Sequence, residues 1–278
     1  MRRKIELSKK KLIFVFVQFF VQKTGQTQLI FCIKKMKTIE QIRLIINKFG
    51  KGYVFTYNDF ELGVNKQEAI IKALNRLAKA KKIIKLSKGK YYKPENSPFG
   101  NLQPKQSQIV KDLLKNNKKL IGYLTGYSVY HKLGLTTQIS NTIQIGTNEI
   151  RPSPRLKRER YTISFIKQNN TITKKNIPLL RILDAIRYIK NIPDSSVENS
   201  CKHFLFIIKN LSLTDKKKLV DLSLKYPPAT KALLGAILEQ LQEIELSTLL
   251  LKFINPITKY KLGKLEKTLI FAKKWNII

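Results

Sequence analysis

The stretch from residue 54 to residue 94 reads VFTYNDFELGVNKQEAIIKALNRLAKAKKIIKLSKGKYYKP, rich in side chains that hydrogen-bond base edges and neutralise phosphates. Asn65, Lys66, Gln67, Lys72, Asn75, Arg76 and Lys79 recur through one helical stretch; Lys85, Lys88 and Lys90 follow in a β-prone segment. Ile70, Leu74 and Leu77 repeat at helical spacing and predict an opposite, core-facing side. Asn65 and Glu68, three apart, predict a capping box at the helix start. Lys81 and Lys82 bring positive charge to its end, which suits the helix dipole. Residues 83–86 and 91–92 predict two strands turned at Ser87, Lys88 and Gly89. A helix followed by a basic hairpin is the order of a winged helix-turn-helix, with Thr56 capping a shorter helix upstream. In that reading the helix meets base edges and the hairpin lysines meet phosphate. The competing reading is a solvated polar face, since basic hairpins also occur in proteins that never meet DNA.

A second basic group, Arg151, Arg155, Lys157, Arg158 and Arg160, lies between predicted strands 142–146 and 161–166 and is flanked by prolines. It is expected to be exposed, either for solubility or as a second phosphate-contacting patch. The chain carries 54 Lys and Arg against 18 Asp and Glu, a net charge of +36. Abundant Lys, Asn and Ile fit an AT-rich codon bias, but that bias alone would leave more acids. A polyanion is the better explanation, nucleic acid first and a membrane surface second.

Little points to catalysis. Gly-x-Ser-x-Gly, a P-loop and the Gly-Ser with Asp-x-Asp of nucleotidyltransferases are all missing from the sequence. Asp184 and Glu198 have no evident partners, and His131 and His203 lie far apart. Cys32 and Cys201 form no Cys-x-x-Cys pattern. No catalytic residue, cofactor, metal site or disulfide is expected, which fits a reducing cytoplasm.

The chain is long enough for two domains. Residues 1–35 join a basic start to an apolar run too short to span a bilayer and without a signal-peptidase site. They read as an extension upstream of a start at Met36, with a surface-docking segment or a failed signal peptide as the alternatives. Residues 36–95 form the winged-helix unit, whose first helix (37–49) turns Ile39, Ile42, Ile45, Ile46 and Phe49 to one side. Val54 and Phe55 would pair with the hairpin. Residues 96–104 read as a linker, 105–200 as an α+β domain and 201–278 as a helical part packed on it. Within these, 105–117 is predicted helical, 120–134 a turn plus helix, and 178–190 a helix with Leu180, Leu183, Ile186 and Ile189 inward. Helices at 215–225 and 230–241 are separated by Tyr226-Pro227-Pro228. Gly235 suggests close helix packing, and residues 269–278, with Trp275, should fold back on the body. The fold class is α+β.

The order Phe55-Thr56, Asp59-Phe60, Ala73-Leu74, Arg76-Leu77, Ile83, Lys88-Gly89, Tyr91 and Pro94 resembles the N-terminal domain of AbiEi-type antitoxins of type IV toxin–antitoxin systems. The resemblance continues through Leu133-Gly134-Leu135-Thr136-Thr137-Gln138, Tyr226-Pro227-Pro228 and Ala232-Leu233-Leu234-Gly235-Ala236. It ends with Asn255-Pro256, Tyr260-Lys261-Leu262-Gly263 and Trp275-Asn276-Ile277. The match is to a less-studied branch of that group, from Met36 to the end. It implies a cytoplasmic repressor bound to its own operator in double-stranded DNA, with no membrane partner. It also implies that residues 101–278 counter a nucleotidyltransferase-like toxin without a stable complex. Two other readings stand beside it: a stand-alone winged-helix regulator, and a nucleic-acid enzyme with a winged-helix targeting domain.

Overall fold

The computed structural model describes residues 38–116, 119–149, 155–263 and 265–278. The extension expected over 1–35, the start at Met36, and Arg151 lie outside the described residues. The chain divides into two compact units at the Pro104–Lys105 junction.

The first unit opens with α1 (Thr38–Lys48), which buries Ile42 and Ile46. Gly52, at φ +72, turns the chain into β1 (Val54–Phe55). The helix expected near Tyr57 is instead two 3-10 turns, Tyr57–Asp59 and Val64–Lys66. Thr56 and Asp59 cap the first reciprocally, and Gly63 at φ +91 separates it from the second. Helix α2 (Gln67–Lys79) then starts without the expected capping box: Lys66 is its N-cap and makes no side-chain bond there. The apolar spacing holds, with Ile70, Ala73, Leu74 and Leu77 all buried. Strands β2 (Ile84–Ser87) and β3 (Lys90–Tyr92) form the hairpin, with Gly89 at φ +73 in its turn. As expected, β1 joins the hairpin: it pairs antiparallel with β3, Val54 opposite Tyr92 and Phe55 opposite Tyr91, in the order β1-β3-β2. Phe55 sits 5.0 Å from Phe49 and 5.8 Å from Phe60, ring to ring, and closes the core of this unit. The expected linker is a second hairpin, β4 (Glu95–Ser97) with β5 (Gly100–Leu102).

In the second unit the helix expected over 105–117 breaks at Val110 into α3 (Gln106–Ile109) and α4 (Lys111–Leu114). The chain continues as the short pair β6 (Lys115–Asn116) and β7 (Lys119–Leu120). The apolar run that was expected to be helical forms β8 (Gly122–Thr125), buried throughout, followed by 3-10 turns at Gly126–Ser128 and His131–Leu133. Burial on both faces removes the alternation that marks a strand, so this run imitates a helix in sequence. Strands β9 (Thr142–Thr147), β10 (Arg155–Arg158) and β11 (Tyr161–Lys167) complete a sheet ordered β10-β11-β9-β8, with β9 and β11 parallel.

Helices α5 (Ile177–Arg187), α6 (Val197–Lys209), α7 (Leu213–Ser223), α8 (Pro228–Gln240) and α9 (Ile244–Leu251) follow. Leu180, Leu183, Ile186 and Ile189 point inward as the spacing predicts. Helix α6 crosses the boundary expected at residue 200, and one core gathers the helices of this unit and reaches the sheet at Tyr123 of β8. The fold is α+β.

The end of the chain packs where its composition places it. Trp275 is fully buried against α8, and its indole N–H donates to Glu239 Oε2 at 2.7 Å. A Cβ on Gly235 would lie 2.1 Å from the Trp275 ring, so only glycine admits the indole. Overpacking of a filled core costs about 1–3 kcal/mol, and a buried ring this close places Gly235→Ala at about 3 kcal/mol or above. Denaturant unfolding is expected to show that loss; a change below about 0.5 kcal/mol would mean that the indole is free to move aside.

Candidate nucleic-acid interface

On α2 the buried residues and the polar residues occupy opposite sides. Glu68, Lys72, Asn75, Arg76 and Lys79 form one exposed stripe, with Asn65 and Gln67 exposed at its N-terminal end. Lys66 is half-buried as the N-cap. Lys72 lies 3.5 Å from Glu68, one turn back, in a pair too exposed to hold it firmly. Arg76 makes no ion pair among the described residues. On the hairpin, Lys85 and Lys88 are exposed and Lys90 is half-buried.

Two residues of the expected set have local duties. The Thr56 hydroxyl donates to Asp59 Oδ2 at 3.1 Å and accepts from the Asn58 N–H, so it completes a cap. Asn75 Oδ1 accepts from the buried Tyr91 hydroxyl at 2.7 Å. That bond ties the exposed stripe of α2 to β3; its partners lie on different elements, so no local spacing announces it.

The second basic group divides. Arg155 and Lys157 are exposed on β10, and Arg160 is exposed in the turn after it, where its Nη2 donates to the Tyr161 hydroxyl at 3.0 Å. Arg158 corrects the expectation of exposure: it is 6% exposed. Its Nη1 and Nη2 donate to the two Asp112 carboxylate oxygens at 2.6 and 2.7 Å, and Nη1 also donates to the Ile109 carbonyl at 2.6 Å. A bidentate arginine of this kind braces α3 and α4 against the sheet. Along β10 Arg155 and Lys157 stay outside while Arg158 turns inward, and a count of arginines cannot see that.

The model of a family described as Family of unknown function (DUF6088) matches residues 41–219. The chain belongs to that family. Its matched span takes in the α2 stripe, the hairpin and the basic strand β10. The crystal structure of RV2827C protein from Mycobacterium tuberculosis is similar in fold, with a TM-score of 0.57 at 13% identity. The similarity covers 87% of this chain and 92% of that one. No curated protein matches the chain.

Also inside the DUF6088 span is Asp184, for which the sequence offered no partner. It is 1% exposed and receives three hydroxyls. Tyr123 and Thr125 each donate to Oδ2 at 2.6 Å, and Tyr226, just beyond that span, donates to Oδ1 at 2.8 Å. Gln168 sets the direction of the network. Its Oε1 accepts from the Asn170 N–H, so its amide donates to the Tyr123 and Tyr226 hydroxyls, each at 2.8 Å. Burial raises the Asp184 carboxyl above its ordinary value, and the three hydroxyls hold it back. So closed a site has no room for a substrate. Cys201 is equally inaccessible, its thiol pushed up to about 12 by burial. Among the described residues no group of three His, Cys, Asp or Glu side chains is placed to hold a metal, and no helix is long and apolar enough to cross a membrane.

Arg158→Ala leaves the buried Ile109 carbonyl and one face of Asp112 without a donor and should cost about 1–3 kcal/mol. Arg155→Ala with Lys157→Ala should stay within about 0.5 kcal/mol, as exposed positions do. Equal losses in the two proteins, measured by urea unfolding, would contradict the division of the cluster.

Tyr226→Phe orphans Asp184 Oδ1 and one Gln168 N–H, and should likewise cost about 1–3 kcal/mol. The carboxyl also sets a pH trend. A raised folded-state pKa contributes stability that is whole below the unfolded value of 3.8 and is lost as pH rises through the folded value. The stability of Asp184→Asn relative to wild type should therefore improve as pH rises above about 4. A difference that is flat with pH, or opposite in sign, would place the carboxyl at or below its ordinary value.

Proposed function

We propose that the chain is a DNA-binding regulator whose first unit acts as a winged helix, with α2 as the reading helix and β2–β3 as the wing. In this reading it is the antitoxin of a type IV pair, represses its own operon and counters a nucleotidyltransferase-like toxin. The observation that carries the DNA-binding part is the exposed stripe of α2, tied through the Asn75–Tyr91 bond to a lysine-bearing hairpin. Arginine, asparagine and glutamine on one exposed helix face suit base edges, and lysines at a hairpin turn suit phosphate. The excess of cations across the whole chain supports the same partner. The antitoxin part is supported by the sequence resemblance alone and is assigned to residues 105–278. A cut at Asn101 would divide the β4–β5 hairpin, so a fragment of the second unit is better begun at Lys105.

Duplex binding by the full chain should weaken by orders of magnitude between low and physiological salt. Arg76→Ala should reduce operator affinity by about 1–3 kcal/mol while leaving random-sequence DNA little changed. Lys88→Ala should weaken both alike. Fluorescence anisotropy with both DNAs measures this, and circular dichroism checks that the variants fold. Binding that is indifferent to salt and to Arg76 would end the DNA-reading proposal. Co-expression with a neighbouring nucleotidyltransferase-like gene tests the antitoxin part through growth. An absent toxin gene, or no rescue, leaves a stand-alone regulator.

A further inference from the structure

The chain has two histidines, and the fold brings both to one cleft. His131 opens the 3-10 turn His131–Leu133, and His203 stands in α6. The elements meet at Gly134, which the His203 ring approaches at van der Waals distance from the position a Cβ would take. Lys202 joins them on the wall of the same cleft, whose volume is ≈ 540 Å³. Thr136, Ser195 and Asn199 add hydroxyl and amide groups, and buried Leu135 supplies an apolar floor.

We propose that this cleft binds a small phosphomonoester of mononucleotide size. The two imidazoles and the Lys202 ammonium each bring an N–H donor to the cleft, as a phosphate requires. The volume exceeds what a bare phosphate fills and lies in the range of small-molecule sites. The hydroxyl and amide groups are placed for the sugar or base that accompanies the phosphate. Asp194 is the acid lining the cleft, and its carboxylate accepts the Gln138 side-chain amide, which turns part of its charge away. Glu198 lies one turn back on α6 and pairs with Lys202 at 3.1 Å, in an exposed pair that leaves the ammonium open to a competing anion. The site belongs to the second unit and does not depend on the DNA-reading proposal.

The test is isothermal titration of the full chain with adenosine 5′-monophosphate, adenosine and inorganic phosphate. The expected result is saturable one-site binding of the monophosphate, at least tenfold weaker binding of adenosine, and competition by inorganic phosphate. His131→Gln and His203→Gln should each weaken the monophosphate about tenfold. Both side chains are exposed, so these variants keep the fold, which circular dichroism confirms. Lys217→Ala with Lys218→Ala, exposed on α7 and outside the cleft, should leave the affinity unchanged and so exclude general attraction to a basic chain. Three results would overturn the proposal: no saturation up to millimolar monophosphate, equal affinity for adenosine, or undiminished binding in the double histidine variant.

Discussion

The Asp184 carboxylate collects hydroxyl protons from β8, through Tyr123 and Thr125, and from the Tyr226 turn that precedes α8. Gln168, just past the end of β11, closes the circuit by donating to both tyrosines. A buried carboxylate tolerates desolvation only when its lone pairs are met, and here the sheet and the helical layer must come together to meet them. The apolar core would accept several small displacements of α5. This network accepts one arrangement, because each hydroxyl both receives from Gln168 or sits against its strand and gives to the same acid. The seat of Trp275 on Gly235 is a second constraint of this kind within the helical layer, with Glu239 accepting the indole N–H.

The parts of the fold that were legible in sequence are those governed by local spacing. Ile70, Leu74 and Leu77 announced α2, and Leu180, Leu183, Ile186 and Ile189 announced α5, since a helix repeats every few residues along the chain. The hairpin was readable from Gly89 for the same reason. Gly235 was legible as a packing site because a glycine within so apolar a helix has few other uses. What escaped were features set by partners distant in sequence. Strand β8 looked helical because both its faces are buried. Arg158 looked like its exposed neighbours because Asp112 lies on another element. Asp184 seemed alone because its three donors arrive from segments that nothing in the sequence marks as adjacent, and the convergence of His131 on His203 is of the same kind.

The two units distribute charge differently. In the first, cations stand on a helix face and a hairpin turn, away from the aromatic core of Phe49, Phe55 and Phe60. In the second, charged groups are matched in pairs with at least one buried or half-buried member: Arg158 with Asp112, Lys216 with Glu243 at 2.6 Å, and Glu239 with Lys274 at 2.5 Å. Acids are scarce in this chain, and a good part of those in the second unit serve to seat a base. Lys231 apart, which is buried beside the Phe253 ring, most of the unmatched positive charge lies at the surface, open to an anionic partner.

The separation of faces on α2 also bears on how such a chain can diverge. Lys72, Arg76 and Lys79 touch nothing that the core needs, so relatives can exchange them for other polar residues while Ile70, Leu74 and Leu77 keep the helix in place. The chemistry that the stripe presents can then drift one position at a time on an unchanged scaffold. Asn75 is the exception: its carboxamide already belongs to Tyr91, and a lineage that alters it must also resettle the hairpin.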